Sequence, residues 1–184
     1  AQKSDYEKLD KEADQLTQAA EVLLKDGENS LFEQAKTSGD NQKVYDGIEK
    51  LFGSYNSTLK ELRNTSNTMN DFYRQMLLEA PDEVKESLSG VGITFAKDGT
   101  ACVDMEKVKA ADLETLQGLF GKESDLVQKI EFLSTRISDN AEANVESLGN
   151  AYNAGGNLYS SISSSNVFRN NQWINKINQN SSRG

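Results

Sequence analysis

The side chains this sequence offers to chemistry are 29 carboxylates, one thiol at Cys102 and no imidazole at all. Without histidine, Ser/His and Cys/His nucleophilic systems are excluded, and the commonest proton shuttle and transition-metal ligand are gone. A pair of carboxylates of the kind that cleaves glycosidic bonds survives that exclusion. The acids, however, alternate with lysines in runs such as Glu7, Lys8, Asp10, Lys11, Glu12 and Asp14, the pattern of a solvated helix face. The chain is therefore not expected to be an enzyme, and a carboxylate acid-base enzyme is the weakest reading. The Lys97-Asp98-Gly99-Thr100 turn with Asp104 and Glu106 lacks oxygen ligands at the alternate positions a calcium loop needs. Gly90-x-Gly92 lacks the third glycine and the basic residue of a phosphate cradle. No cofactor and no metal are expected, and Cys102 reads as a small strand residue.

The formal net charge of −9 argues against nucleic acid or an anionic membrane surface, both of which need a positive face, and favours protein partners. No run approaches the 18 or more apolar residues of a membrane span, and the first residues lack the basic-then-apolar layout of a secretory leader.

The elements that position these groups read as helices. Tyr6, Leu9, Ala13, Leu16, Ala20 and Leu23 recur at steps of three and four, a heptad seam that predicts a helix over 4–26 with Ser4 as cap and Gly27 as stop. A shorter helix follows over 30–36. Val44, Ile48, Leu51, Tyr55, Leu59, Leu62, Met69, Phe72, Tyr73 and Met76 predict a second long helix over 42–78, which the polar run from Asn64 to Thr68 loosens. Pro81 fits the opening of a short helix bearing Val84 and Leu88. Between 92 and 104 the period changes to two, and an Asp98-Gly99 turn between short apolar runs predicts a β-hairpin with Ile93 and Phe95 facing Val103. Asp104 and Asp112 are caps for two short helices, the second closed by Gly121. Leu126, Ile130, Leu133, Ile137, Ala141, Val145, Leu148 and Tyr152 form a third seam over 122–152.

The expected architecture is thus mainly α, an elongated antiparallel helical bundle or coiled coil with one small β-hairpin, occupying residues 1–152. Residues 153–184 are Ser/Asn-rich, carry no acid, and read as a flexible tail. That tail nonetheless holds Val167, Phe168, Trp173, Ile174 and Ile177, more apolar matter than a linker needs. They are the candidate partner-binding residues: the segment either lies on the bundle or orders on a partner.

The central stretch Leu88-Ser89-Gly90-Val91-Gly92-Ile93-Thr94-Phe95-Ala96-Lys97-Asp98-Gly99-Thr100, with Val103-Asp104, Lys107-Val108 and Leu119-Phe120-Gly121, resembles the C-terminal region of the flagellar filament-cap family (FliD, hook-associated protein 2). The shared pattern is a glycine-isoleucine-threonine strand, an Asp-Gly turn, a second strand, an acid-capped helix and a closing leucine-phenylalanine-glycine. It covers 84–121 and extends more loosely over 48–62 and 126–137. The resemblance implies a structural component of the bacterial flagellum, extracellular and exported without a cleaved signal, that self-associates and contacts flagellar subunits. A secreted helical adhesin or protein-binding module is the alternative expectation.

Overall fold

The structure, a computed structural model, describes residues 1–153, with side chains through residue 150. Eight α-helices and one hairpin follow in the order α1 (Lys3–Leu24), α2 (Leu31–Ser38), α3 (Gln42–Asn64), α4 (Thr68–Glu79), α5 (Lys85–Gly90), β1 (Ile93–Phe95), β2 (Ala101–Val103), α6 (Met105–Ala110), α7 (Leu113–Phe120) and α8 (Asp125–Asn153). The fold is mainly α with one two-stranded antiparallel sheet, the class the periodicity predicts.

α1 is the middle helix, packed along both α3 and α8. Two contacts set its direction against α8, Asp10 with Ser138 and Thr17 with Ser134, and Asp26 with Lys122 just beyond the helix ends continues the series, so the two run antiparallel. Against α3, Tyr6 meets Asn67 at one end and Leu23 lies over Gly47 at the other, so that pair is antiparallel as well. The seam between them is the predicted one. Leu9, Ala13, Leu16, Ala20 and Leu23 of α1 are buried against Val44, Ile48, Leu51 and Leu62 of α3 and Ile130, Leu133, Ile137 and Ala141 of α8. Burial of such apolar stripes, each leucine, isoleucine or valine contributing about 1.5–3 kcal/mol, drives the assembly of helices whose isolated stability is marginal.

Several boundaries differ from the sequence expectation. Ser4 lies within the first turn of α1, whose entry is instead tied by the Gln2 N–H donating to Asp5 Oδ2 at 2.8 Å. α1 ends at Leu24, and Gly27, at φ +60°, opens a 3₁₀ turn rather than closing the helix. Asp112 precedes α7 in extended conformation, but its side chain makes no capping bond.

The largest difference is that 42–78 is not one helix. α3 ends at Asn64 and α4 starts at Thr68 because polar side chains capture the backbone groups between them. Thr65 Oγ1 donates to Glu61 O at 2.7 Å, Asn67 Oδ1 accepts from the Asn70 N–H at 2.9 Å, and the fully buried Asn70 donates to Thr65 O at 2.9 Å. Such local bonds compete with helix continuation and favour caps. The break also resets the phase of the apolar stripe. Asn70, Tyr73 and Leu77 face inward, while Phe72 and Met76, which the periodicity assigned to the seam, are 42% and 37% exposed.

Candidate interaction surface

Two regions stand out once the bundle is in place: the hairpin unit docked on α3, and the outer face shared by α4 and α8.

The predicted hairpin forms, and its register sets Ile93 opposite Val103, Thr94 opposite Cys102 and Phe95 opposite Ala101. Gly92 enters it at φ +94°, and a Cβ there would meet Asp104 O at 2.6 Å and Lys107 Cβ at 2.7 Å, so only glycine fits the close approach to α6. Asp104 caps α6, its Oδ1 accepting from the N–H groups of Glu106 and Lys107. A two-stranded hairpin is marginal in water, and here α3 holds it. Asn56 Nδ2 donates to Ala101 O at 2.9 Å, and the Ala101 N–H donates to Asn56 Oδ1 at 2.8 Å. One amide side chain therefore satisfies the outward edge of β2 as the peptide group of a third strand would. Around this clip Phe52 meets Tyr55, Phe95 and Phe120 edge-to-face at centroid distances of 6.3, 6.5 and 5.9 Å. The buried Tyr55 hydroxyl donates to Leu77 O at 2.8 Å, tying α3 to α4. Burial raises its pKa far above the ordinary phenol range.

On the second face, α4 runs antiparallel to α8, Asn140 Nδ2 approaching Asn70 Oδ1 at 3.4 Å. Tyr73 is buried between them, and that burial pushes its hydroxyl up to about 12, with Arg136 opposing and Asp139 reinforcing the shift. Arg136 is only 8% exposed; its guanidinium lies 5.6 Å over the Phe132 ring and 3.8 Å from Asp139. Its Nε makes no hydrogen bond among the described residues. Phe72 and Met76 are the exposed large apolar side chains beside this cluster.

The hollow of about 600 Å³ at the end of α1 contains Asp26, Glu28 and Glu33. Lys122 donates to Asp26 and lowers its pKa, while Gln117 and then Lys36 lower that of Glu33. Both are therefore held as carboxylates rather than poised as general acids. Glu131 is shifted the other way, by partial burial first and by the charge of Glu21 second. Among the described residues no group of three or more His, Cys, Asp and Glu is placed to hold a metal ion, and no helix is long and apolar enough to cross a membrane.

Cys102 is an exposed residue of β2. The candidate partner-binding residues Val167, Phe168, Trp173, Ile174 and Ile177 lie outside the described residues. Asn56 and the α4–α8 face carried no sequence signal of their own, since each depends on partners 45 to 70 positions away. No family model, no curated protein and no solved structure matches this chain.

Proposed function

We propose that this chain is a non-enzymatic structural protein of the bacterial flagellum, a filament-cap or hook-associated component or a portion of one, acting outside the cell by helix packing and self-association. The observation that carries the reading is the unit over 84–121. The residues that resemble the cap family there are those that make its turns and contacts: Gly92 at the crowded approach to α6, Asp104 as cap, and Phe120 packed on Phe52. The acidic surface, net −9 for the chain, supports a protein rather than a polyanionic partner. Deletion of the gene followed by electron microscopy of the cell surface tests it. Loss or shortening of filaments is the expected result, and normal filaments with normal swimming would overturn the flagellar assignment. Light scattering coupled to size-exclusion chromatography tests self-association directly, with mass rising with concentration as the expected outcome.

A second reading, a secreted helical adhesin or protein-binding module, is favoured by the exposed Phe72 and Met76 on an otherwise charged surface. It predicts retention of a host protein or glycan on a broad array, weakened by Phe72→Ser; failure to retain any ligand counts against it.

A further inference from the structure

We infer that the hollow between α4 and the hairpin turn is a binding site for a small phosphate monoester, held by Arg74, Lys85 and Lys97 over an apolar floor. The proposal is independent of the flagellar reading. It rests on the shape of the hollow, its charge and the donors it leaves unspent.

The turn that forms one wall is fixed in place. Gly99, at φ +88°, lies so close to α4 that a Cβ there would collide with Leu78 Cδ2, so only glycine lets the turn close on the helix. Phe95 is held from behind, its ring edge-to-face with Phe52 at 6.5 Å and with Tyr55 at 6.3 Å. Between turn and helix is a hollow of about 280 Å³, with Leu78, Phe95 and Ala96 as its apolar part. Drug-sized sites measure roughly 300–1,000 Å³, so this one suits a single small ligand.

Three cations line the hollow, Arg74 from α4, Lys85 from α5 and Lys97 from the turn, against one acid, Asp98. On a chain of net −9 that is a local reversal of sign. Asp98 is engaged elsewhere. Its Oδ1 accepts from the Thr100 N–H at 3.0 Å, and its carboxyl is held below the usual range by Thr100 first and then by the charge of Arg63, which lines a second hollow across the turn. Lys85 pairs with Asp82 at 3.0 Å, but both side chains are about half exposed, and such surface pairs exchange at little cost. Its ammonium also lies 5.8 Å over the Phe95 ring, at the edge of the apolar floor. Arg74 and Lys97 form no ion pair among the described residues.

Arg74 carries the choice of ligand. The residue is half-buried, and its Nε is shut off from solvent and makes no hydrogen bond among the described residues. A guanidinium so placed without a counter-ion is destabilising, and an anion on its terminal nitrogens relieves it. A phosphate monoester brings three acceptor oxygens and about −1.5 to −2 charges at pH 7, enough for the guanidinium fork and two ammonium groups together, whereas a carboxylate brings two oxygens and one charge. Three cations less one acid leave two positive charges to meet it. The Phe95 and Leu78 floor favours an ester bearing a ring over the bare ion. A long polyanion would meet the acidic remainder of the surface as soon as it left the hollow.

Isothermal titration calorimetry of the full chain with phenyl phosphate tests this. Saturation of one site at millimolar concentration or below is expected, with inorganic phosphate several-fold weaker and benzoate weaker still. Arg74→Gln should weaken phenyl phosphate about tenfold or more, and Lys97→Gln, at an exposed position of the turn, several-fold with far-UV circular dichroism unchanged. Lys122→Gln, an exposed cation outside the hollow, should change nothing. Failure of phenyl phosphate to saturate the unaltered chain overturns the proposal and needs no variant. Saturation that folded Arg74→Gln and Lys97→Gln proteins retain in full overturns the site, and benzoate binding as tightly as phenyl phosphate overturns the choice of phosphate.

Discussion

Replacing Asn56 by alanine removes the one side chain that pairs both backbone groups of Ala101. The bonds measure 2.9 and 2.8 Å, and they lie in a part-buried setting, with Ala101 itself 6% exposed. Ala101 sits at a position where its N–H and C=O point away from β1, because Ala96 with Thr100 and Gly92 with Asp104 make the cross-strand bonds on either side. Nothing in the ladder can take over. Leaving a buried donor or acceptor unmade costs about 1–3 kcal/mol each, and partial access to water favours the low end of that range, about 1–1.5 for each of the two, so Asn56→Ala should lose about 2–3 kcal/mol. For a domain of this size that is a fall in Tm of roughly 5–10 °C. Urea unfolding gives the free energy, and hydrogen exchange at the Ala101 amide locates it. Asn56→Asp sharpens the test: it keeps the acceptor for the Ala101 N–H but sets an oxygen against the Ala101 carbonyl. The Asp form should be at least as unstable as the alanine variant at pH 7. Relative to the unaltered chain it should recover below the usual carboxylate pKa, where a protonated carboxyl again donates to Ala101 O. The folded state prefers the proton, so its pKa is raised and the stability is lost as pH rises through it. A loss under about 0.5 kcal/mol with unchanged protection of the Ala101 amide would refute the idea that this amide closes the edge of β2.

Other outcomes follow from the same structure. Gly92→Ala meets both a positive φ of +94° and contacts at 2.6 and 2.7 Å, and should lower Tm by several degrees in differential scanning calorimetry, more than alanine at the open helical position Gly53. Thr58 is fully buried and its Oγ1 has no hydrogen-bond partner, so Thr58→Val should stabilise by about 1 kcal/mol in urea titration; destabilisation would mean that the hydroxyl is satisfied. Tyr73 ionises near 12 in the fold against about 10 in the unfolded chain, so its contribution is complete below pH 10 and drains away between 10 and 12. Phenolate absorbance should accordingly show Tyr55 and Tyr73 titrating together with alkaline unfolding rather than before it. Exchanging the exposed Lys122 for alanine removes a 2.6 Å ion pair with Asp26 and should leave Tm almost unchanged at physiological salt.

What was legible in the sequence was whatever repeats or acts over a few residues. The three-and-four steps from Leu9 to Leu23 placed five side chains that are at most 1% exposed, and the Asp98-Gly99 turn located the hairpin. Asp104 could be read as a cap because its acceptors are two and three residues away. The break between α3 and α4 was harder, since the polar run at 64–68 lowers helix preference without forbidding a helix, and what ends it is a knot closed by burying Asn70 against α8. Once the knot resets the phase, a single continuous period assigns Phe72 and Met76 to the wrong side. Ser124, which accepts from the Val127 N–H to start α8, went unread because the charged residues around it resemble a loop. The role of Asn56 is invisible in one dimension, for its partner lies 45 residues downstream.

The position of α1 between α3 and α8 bears on how the polypeptide comes to be folded at all. Its seam with α8 joins residues as far apart as 128 positions, the bond from Ser138 to Asp10 being one. A chain that emerges N-terminus first from a ribosome presents α1 long before its principal partner exists. Until α8 follows, Leu9, Leu16 and Leu23 have only α3 to cover them, and contacts of such wide separation form slowly because the intervening loop must close first. The bundle of the described residues is therefore completed late, by α8.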